Sequence, residues 1–310
     1  MMNPDSSMHD PNAEMDEREQ QVIAEGVHAS SVFLPVNKED DPRTRAKVMS
    51  LRDQYHTYGY VLLPNVFTPE EIDGMRAECE QILEAPSEQE CDLKLNKNGK
   101  RWLSIDTMNR FDGLRWAGFQ QPFVEGLREI LAPEKVARVP EDSLMALGYS
   151  RHGFHVDLEN YQKTTGVRTT FDEGNKLVRP VIYLQENSEE HGGGLDIVPG
   201  THKRPWRPED EAVRIRHEVG DVLMFSMHIR HQGTQAKNEE HPLAKRKMGL
   251  FMAAGPDNEH TRRFAKHLRE TDRSLYMDFL RPFYQIHPET LRLAAQHDIH
   301  WLTGTEHEEQ

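Results

Sequence analysis

The sequence predicts a mainly β chain, an antiparallel sandwich or jelly roll with helices on its flanks. Three observations predict it. Short apolar, β-branched runs recur at Ser143–Tyr149, Val178–Leu184, Leu195–Val198, Val213–His217, Val222–Phe225 and Met248–Ala253. Turn-forming clusters separate them, among them Gly192-Gly193-Gly194 and Pro199-Gly200. Helical spacing of apolar residues is confined to the two ends of the chain, before about residue 131 and after Pro256.

Taken in order, residues 1–42 read as an acidic tail. The stretch through Ser30 has no aromatic residue and too little apolar surface to offset chain entropy. Folded sequence is expected from Arg43, with a polar helix over 43–58 and a strand at Gly59–Pro64. Thr68 as N-cap, Pro69 at the first helical position and Glu71 three residues after the cap start the next helix. Its stripe Ile72, Met75, Cys79, Ile82 and Leu83 puts Cys79 on the buried face, as core and not as a nucleophile. Residues 85–112 read as irregular, and Pro122–Leu131 as a short amphipathic helix. The expected organisation is one domain over 43–302, with a β core at about 143–254, a helical extension over 257–302 and an acidic tail over 303–310.

Composition narrows the function classes. The chain has 310 residues and a formal charge of −14, a poor match to nucleic acid or to an anionic membrane surface. Much of that charge sits in the tails: the first 25 residues hold seven acids and one base. No apolar run is long enough to span a bilayer, and the N-terminus has no secretory or Arg-rich leader pattern. Two cysteines, Cys79 and Cys91, make neither a disulfide framework nor a Cys-based zinc site. A cytoplasmic protein is expected.

The chemistry-bearing fragment is His155-Val156-Asp157. In an extended segment, residues i and i+2 point the same way, so an imidazole nitrogen and a carboxylate oxygen can reach one ion. A second histidine from a distant strand would complete a two-histidine, one-carboxylate face, which suits a non-haem iron with open positions. Spacing alone does not select it. With 17 histidines and 52 acidic residues, about three His-x-acid pairs arise by chance, and three occur, at His155, His287 and His307. Only His155 lies in the strand-rich half.

Its surroundings are more specific. Gly194-Leu195-Asp196-Ile197-Val198-Pro199-Gly200-Thr201-His202-Lys203 is followed by Gly220-Asp221-Val222-Leu223-Met224-Phe225 and then His231-Gln232-Gly233-Thr234. Lys245-Arg246-Lys247 opens an apolar strand, and Gly59–Pro64 with Thr68-Pro69-Glu70-Glu71 precedes them all. This order of blocks, over about residues 50–254, resembles the phytanoyl-CoA dioxygenase (PhyH-like) family of iron(II)/2-oxoglutarate oxygenases.

The resemblance implies a double-stranded β-helix, the cupin-like form of the jelly roll, and an enzyme using Fe(II), with 2-oxoglutarate and O2 as co-substrates. His155 and Asp157 match the first two iron ligands. His231 matches the distal histidine, with His228 as its rival. Arg246 matches the arginine that clamps the far carboxylate of 2-oxoglutarate, with Lys245 and Lys247 as alternatives. Thr234 stands near the position of a hydroxyl helper. A carboxylate at 157 leaves no room for a halide on the metal, which implies hydroxylation or another oxidation. Two other classes stay open at this point: a non-catalytic 2-oxoglutarate or metal sensor, and a cupin-like metal-dependent hydrolase or isomerase.

For the substrate, residues 92–116 hold six bases against three acids, and 161–179 hold four against two. Net positive segments in an acidic chain suggest a small polar or anionic metabolite, met by Arg101, Trp102, Arg168 or Lys176.

Overall fold

The strands of the protein, seen in a computed structural model, assemble into two facing sheets. The structure describes residues 38–84, 94–95, 101–103, 111–139, 144–147, 153–165, 174–270 and 286–302. The strands are β1 (Lys38–Asp40), β2 (Tyr60–Leu63), β3 (Lys94–Leu95), β4 (Arg101–Leu103), β5 (Val136–Arg138), β6 (Leu144–Leu147) and β7 (Val178–Tyr183). They continue as β8 (Leu195–Ile197), β9 (Val213–Ile215), β10 (Val222–Ser226), β11 (His231–Gly233), β12 (Met248–Phe251), β13 (Ala254–Pro256) and β14 (His300–Trp301). The smaller sheet runs β1-β9-β8-β11. In the larger one, β7 lies between β10 and β12; β2 extends it beyond β10, and β6, β4 and β3 beyond β12. At the Val178 end of β7, β13 takes over and leads through β5 to β14. This is a double-stranded β-helix with flanking helices.

Alternation along the strands builds two cores from one sheet. Tyr60, Leu62, Val181, Tyr183, Leu223 and Phe225 face the smaller sheet, where they meet Leu195, Ile197, Val213 and Ile215. Val61, Leu63, Ile182, Val222, Met224, Met248 and Leu250 face the helices. With both faces covered, these strands are apolar throughout, which is why they read as continuous runs.

The covering helices are α1 (Leu51–Tyr58), α2 (Pro69–Glu84), α3 (Asp112–Ala117) and α4 (Gln121–Leu131). The capping box forms: Thr68 N donates to Glu71 Oε2 at 2.8 Å, and Glu71 N to Thr68 Oγ1 at 3.3 Å. Cys79 is fully buried in the helix-side core. Around the other end lie α5 (Glu159–Thr165), α6 (Pro242–Lys245), α7 (Glu259–Glu270) and α8 (Pro288–Gln296). None of the described helices is long and apolar enough to cross a membrane.

Several details differ from the sequence reading. Residues 85–112, expected to be irregular, carry β3 and β4, which pair with each other, and β4 pairs with β6. The region 43–58 is two elements, a 3-10 helix at Pro42–Lys47 and α1, because Ser50 caps a fresh helix through Asp53 N. Ordered structure also begins ahead of Arg43. Lys38–Asp40 pairs in parallel with Val213–Ile215, a short edge strand too polar to be read as one. The acidic ends at 1–37 and 303–310, and Cys91, lie outside the described residues.

The fold also encloses two neutral histidines. His217 stacks flat on Tyr183 at 4.8 Å between the sheets, and His228 follows β10; each is 2 % exposed. Burial pulls each imidazole down from about 6.5 to about 4, in His228 with the help of nearby His202. The unfolded chain takes up these protons below about pH 6.5, and the folded chain does not until about pH 4. Stability therefore falls as pH drops through that window. Thermal unfolding of the metal-free protein should show a Tm declining from pH 6.5 to 4, with a shallower decline in His217→Gln and His228→Gln. An unchanged pH slope in both variants would assign the acid sensitivity to other groups.

Candidate metal centre

Three side chains from two distant stretches of chain meet at the mouth of the barrel. His155 lies in a short extended segment ahead of α5, and His231 opens β11. The two are joined by a reciprocal backbone bridge: His155 N donates to His231 O and His231 N to His155 O, each at 2.9 Å. Residues paired in this way project to the same face, and the two imidazole centroids lie 4.5 Å apart. Asp157, two residues beyond His155, swings to the same side. One ligand atom from each of His155, Asp157 and His231 lies within 4.8 Å of the others.

The hydrogen bonds decide which atoms face inward. His155 Nδ1 lies 2.9 Å from Gly153 O, and His231 Nδ1 3.0 Å from Ile229 O. A carbonyl only accepts, so each Nδ1 carries the proton and each Nε2 presents a lone pair. Asp157 Oδ1 lies 3.7 Å from His155 Nε2 and 3.4 Å from His231 Nε2. Its other oxygen, Oδ2, accepts from Arg179 Nε at 3.0 Å. The aspartate thus offers one oxygen to the centre and anchors with the second. Ligands about 2.1 Å from an ion and at right angles stand about 3 Å apart, so small side-chain movements would close these donors on a metal. Two imidazoles and a carboxylate on one face are a donor set that fits Fe(II).

Electrostatics agree with the geometry. Burial works to raise the Asp157 carboxyl, but Arg179 and the two imidazoles outweigh it and hold it at about 2. Burial pulls His231 down to about 4, against the pull of Asp157. At neutral pH the aspartate is ionised and His231 is neutral. The His231 side chain is 5 % exposed, Asp157 15 % and His155 40 %, so the centre opens to solvent on the His155 side.

The ordered sequence blocks serve as the scaffold. Asp221 accepts from Asn65 N and Glu218 N, both at 2.9 Å, and closes the turn into β10. Gly220 there has φ +94°, and a Cβ would fall 2.2 Å from Phe67 O. Thr201 Oγ1 donates to Val198 O at 2.7 Å and accepts from Arg230 N at 3.0 Å, fixing the residue beside His231. Asp196 accepts from Thr234 Oγ1 at 2.9 Å and Gln232 Nε2 at 3.2 Å, tying β8 to β11.

The other expected site residues fall differently. His228 is buried near His202 and Asn175 and is not one of the three converging side chains. Arg246 does not enter the barrel. It caps the end of α6, ahead of β12, and its half-exposed guanidinium pairs with Glu80 of α2. Lys245 pairs with Glu240 at the surface. Lys247, just ahead of β12, is buried, with its amine close to Gly192. Thr234 is fully buried, and its hydroxyl is engaged by Asp196 and by Asn187 Nδ2. Lys176 is half-buried just ahead of β7. Arg101 and Trp102 lie on β4, with their side chains outside the described set, and Arg168 lies outside it altogether.

Sequence reasoning missed Arg179. The available signal was a lone charge inside the apolar run Val178–Leu184, and buried charges require partners.

Comparison with known proteins follows the same line. The sequence profile described as phytanoyl-CoA dioxygenase (PhyH) matches residues 55–242. The α-ketoglutarate-dependent non-haem epimerase SnoN of nogalamycin biosynthesis has a similar fold, with TM-score 0.51 and 15 % identity over 70 % of this chain and 84 % of that one. SnoN in complex with Fe3+, α-ketoglutarate and nogalamycin RO gives 0.50 and 16 %, over 69 % and 85 %. The carbocyclase SnoK from the same biosynthesis gives 0.48 and 18 %, over 68 % and 85 %. No curated protein matches the chain in sequence.

Arg179 is expected to act on the metal through Asp157. Arg179→Met frees Oδ2 and removes the charge that keeps the carboxylate ionised. Metal affinity, measured by anaerobic Fe(II) equilibrium dialysis, should weaken about 10- to 100-fold while the fold, read by circular dichroism, is retained. Unchanged affinity in a folded variant would remove Arg179 from the centre.

Proposed function

The chain belongs to the phytanoyl-CoA dioxygenase family of iron(II)- and 2-oxoglutarate-dependent oxygenases. From that premise we propose that His155, Asp157 and His231 hold the iron, and that the enzyme hydroxylates, or otherwise oxidises, a C–H bond of a small polar or anionic metabolite with release of succinate and CO2. The observation that carries the ligand set is the convergence of two Nε2 lone pairs and one carboxylate oxygen, with the His155 side open to solvent. Bound there, iron and 2-oxoglutarate supply the O2 activation and the oxidising power.

The protein's share is position and electrostatics. The two Nδ1–H···O=C bonds stop the rings from turning, so both lone pairs stay aimed without reorganisation on binding. Asp157, ionised and tethered by Arg179, brings one negative charge to a dication and leaves it net positive, ready for a chelating anion. His155, Asp157 and His231 would hold the metal from one face, and Asp157 would fill the place that a small residue would leave to a halide. Burial of His231 and Asp157 keeps water from all sides but that of His155.

The substrate class rests on charge. The segment 161–179 is net positive and leads from α5 into β7, whose Arg179 reaches the centre. Lys176 sits half-buried in that lead-in. A cleft wall of one sign attracts ligands of the other.

Anaerobic addition of Fe(II) and 2-oxoglutarate should give a visible absorption band, which His155→Ala and His231→Ala each abolish. Retention of the band in both variants would overturn the ligand assignment. With air and a screen of candidate metabolites, succinate should form in step with oxidation of an anionic one. Binding of 2-oxoglutarate with no turnover on any metabolite, and no uncoupled CO2 release, would favour a sensor. For the substrate class, Arg168→Glu and Lys176→Glu should raise KM at least about tenfold with little change in kcat, on the scale of a lost charge-assisted contact. An unaltered KM in both would remove the anionic class.

A further inference from the structure

We propose that Lys247 and Tyr183, not Arg246, receive the far carboxylate of the 2-oxo acid co-substrate. The inference rests on the iron and 2-oxoglutarate reading above and deepens it.

Burial and side-chain direction carry the first step. On β12, Met248 and Leu250 are buried in the helix-side core, while Gly249 and Phe251 face the space between the sheets. A Cβ on Gly249 would meet the Phe251 ring at 3.0 Å and Tyr183 Cδ1 at 3.3 Å, which places that face in the lumen. Arg246 lies ahead of β12, as the cap of α6, with a backbone (φ −115°, ψ 23°) that is not extended. Its side chain leaves toward α2, is 58 % exposed and pairs with Glu80, while its carbonyl accepts from Arg76. Lys247, the residue between that cap and β12, is 8 % exposed.

The floor of the lumen is shaped around the lysine. Gly192, at φ +67°, passes so close that a Cβ there would lie 3.3 Å from Lys247 Nζ and 2.4 Å from Thr234 O. Any side chain at 192 would press on the amine. Burial lowers the ammonium to about 8 against the opposing pull of Asp196 and Glu239, so it stays largely protonated at neutral pH.

Tyr183 supplies the second donor. It lies on β7 directly across from Gly249, with its ring held flat against His217. Its hydroxyl is buried and has no hydrogen-bond partner among the described residues, an expensive state for a native side chain. Burial raises its pKa well above the ordinary phenol value, with Asp157 and Asp196 adding to the rise, so the hydroxyl remains a donor. Asp157 belongs to the metal centre, and Asp196 acts on both the Tyr183 phenol and the Lys247 ammonium. Gly249, having no side chain, leaves the Tyr183 ring uncrowded on that face. A 2-oxo diacid chelates metal with its keto-acid end and needs a cation and a donor at its other end. The phenol and the ammonium meet that need.

The test compares 2-oxoglutarate with pyruvate, which has the same chelating end and no far carboxylate. Dissociation constants come from the visible band of the anaerobic Fe(II) complex, so no turnover is involved. Lys247→Met should weaken 2-oxoglutarate binding about 10- to 100-fold and Tyr183→Phe about fivefold, with pyruvate affinity and iron stoichiometry unchanged in both. Lys247→Arg should restore part of the loss, and Arg246→Ala should stay within about twofold of the unaltered protein. Loss of 2-oxoglutarate affinity in Arg246→Ala, with none in Lys247→Met, would overturn the proposal. If Lys247→Met does not fold, Tyr183→Phe and Arg246→Ala decide it by the same criteria. Absence of a band with either 2-oxo acid in the unaltered protein would instead bring down the iron and 2-oxoglutarate reading itself.

Discussion

The backbone bridge between His155 and His231 is the contact on which the centre depends. Residues 76 positions apart in the chain are locked face to face by two 2.9 Å hydrogen bonds. That pairing fixes register, and register fixes which side chains share a face. A slip of one residue would send one imidazole to the outside of the barrel. The rings are then held by their own Nδ1–H bonds to local carbonyls, so the same few residues provide both position and orientation.

Much of what looks functional in the sequence holds this bridge in place. Asp221, Thr201 and Asp196 are buried or turn-closing acceptors, and each fastens a loop or strand next to the ligands. Thr234 belongs with them: its hydroxyl links Asp196 and Asn187 and so joins β8, β11 and the turn after β7. The family's recurrent blocks are thus a scaffold signature around a three-residue centre.

Charge is distributed by burial and not by composition. The −14 of the whole chain says little about the centre, where one ionised aspartate is balanced by Arg179 and faced by an imidazole that burial keeps neutral. His217 and His228 add two more imidazoles that burial keeps neutral at physiological pH. Lys247, like Arg179, is a cation kept inside, with Asp196 as a carboxylate neighbour.

The sequence by itself determined the β core and most of its strands, since residues covered on both faces must be apolar wherever they occur in the run. It determined the start of α2, because a capping box is a local pattern. It also singled out His155, Asp157 and His231 through the order of the blocks around them. Only the tertiary structure decided what depends on phase and on distant partners. His228 and His231 are three residues apart, and which one meets His155 is set by the bridge. Arg246 and Lys247 are neighbours, and only their tertiary surroundings tell them apart: the first pairs with Glu80 at the surface, and the second is buried beside Gly192. Arg179 became visible as the support of Asp157 only when its strand was placed beside the loop that carries the aspartate. Composition and order survive translation along a chain; the face a side chain takes does not, because a strand's two faces exchange with every residue.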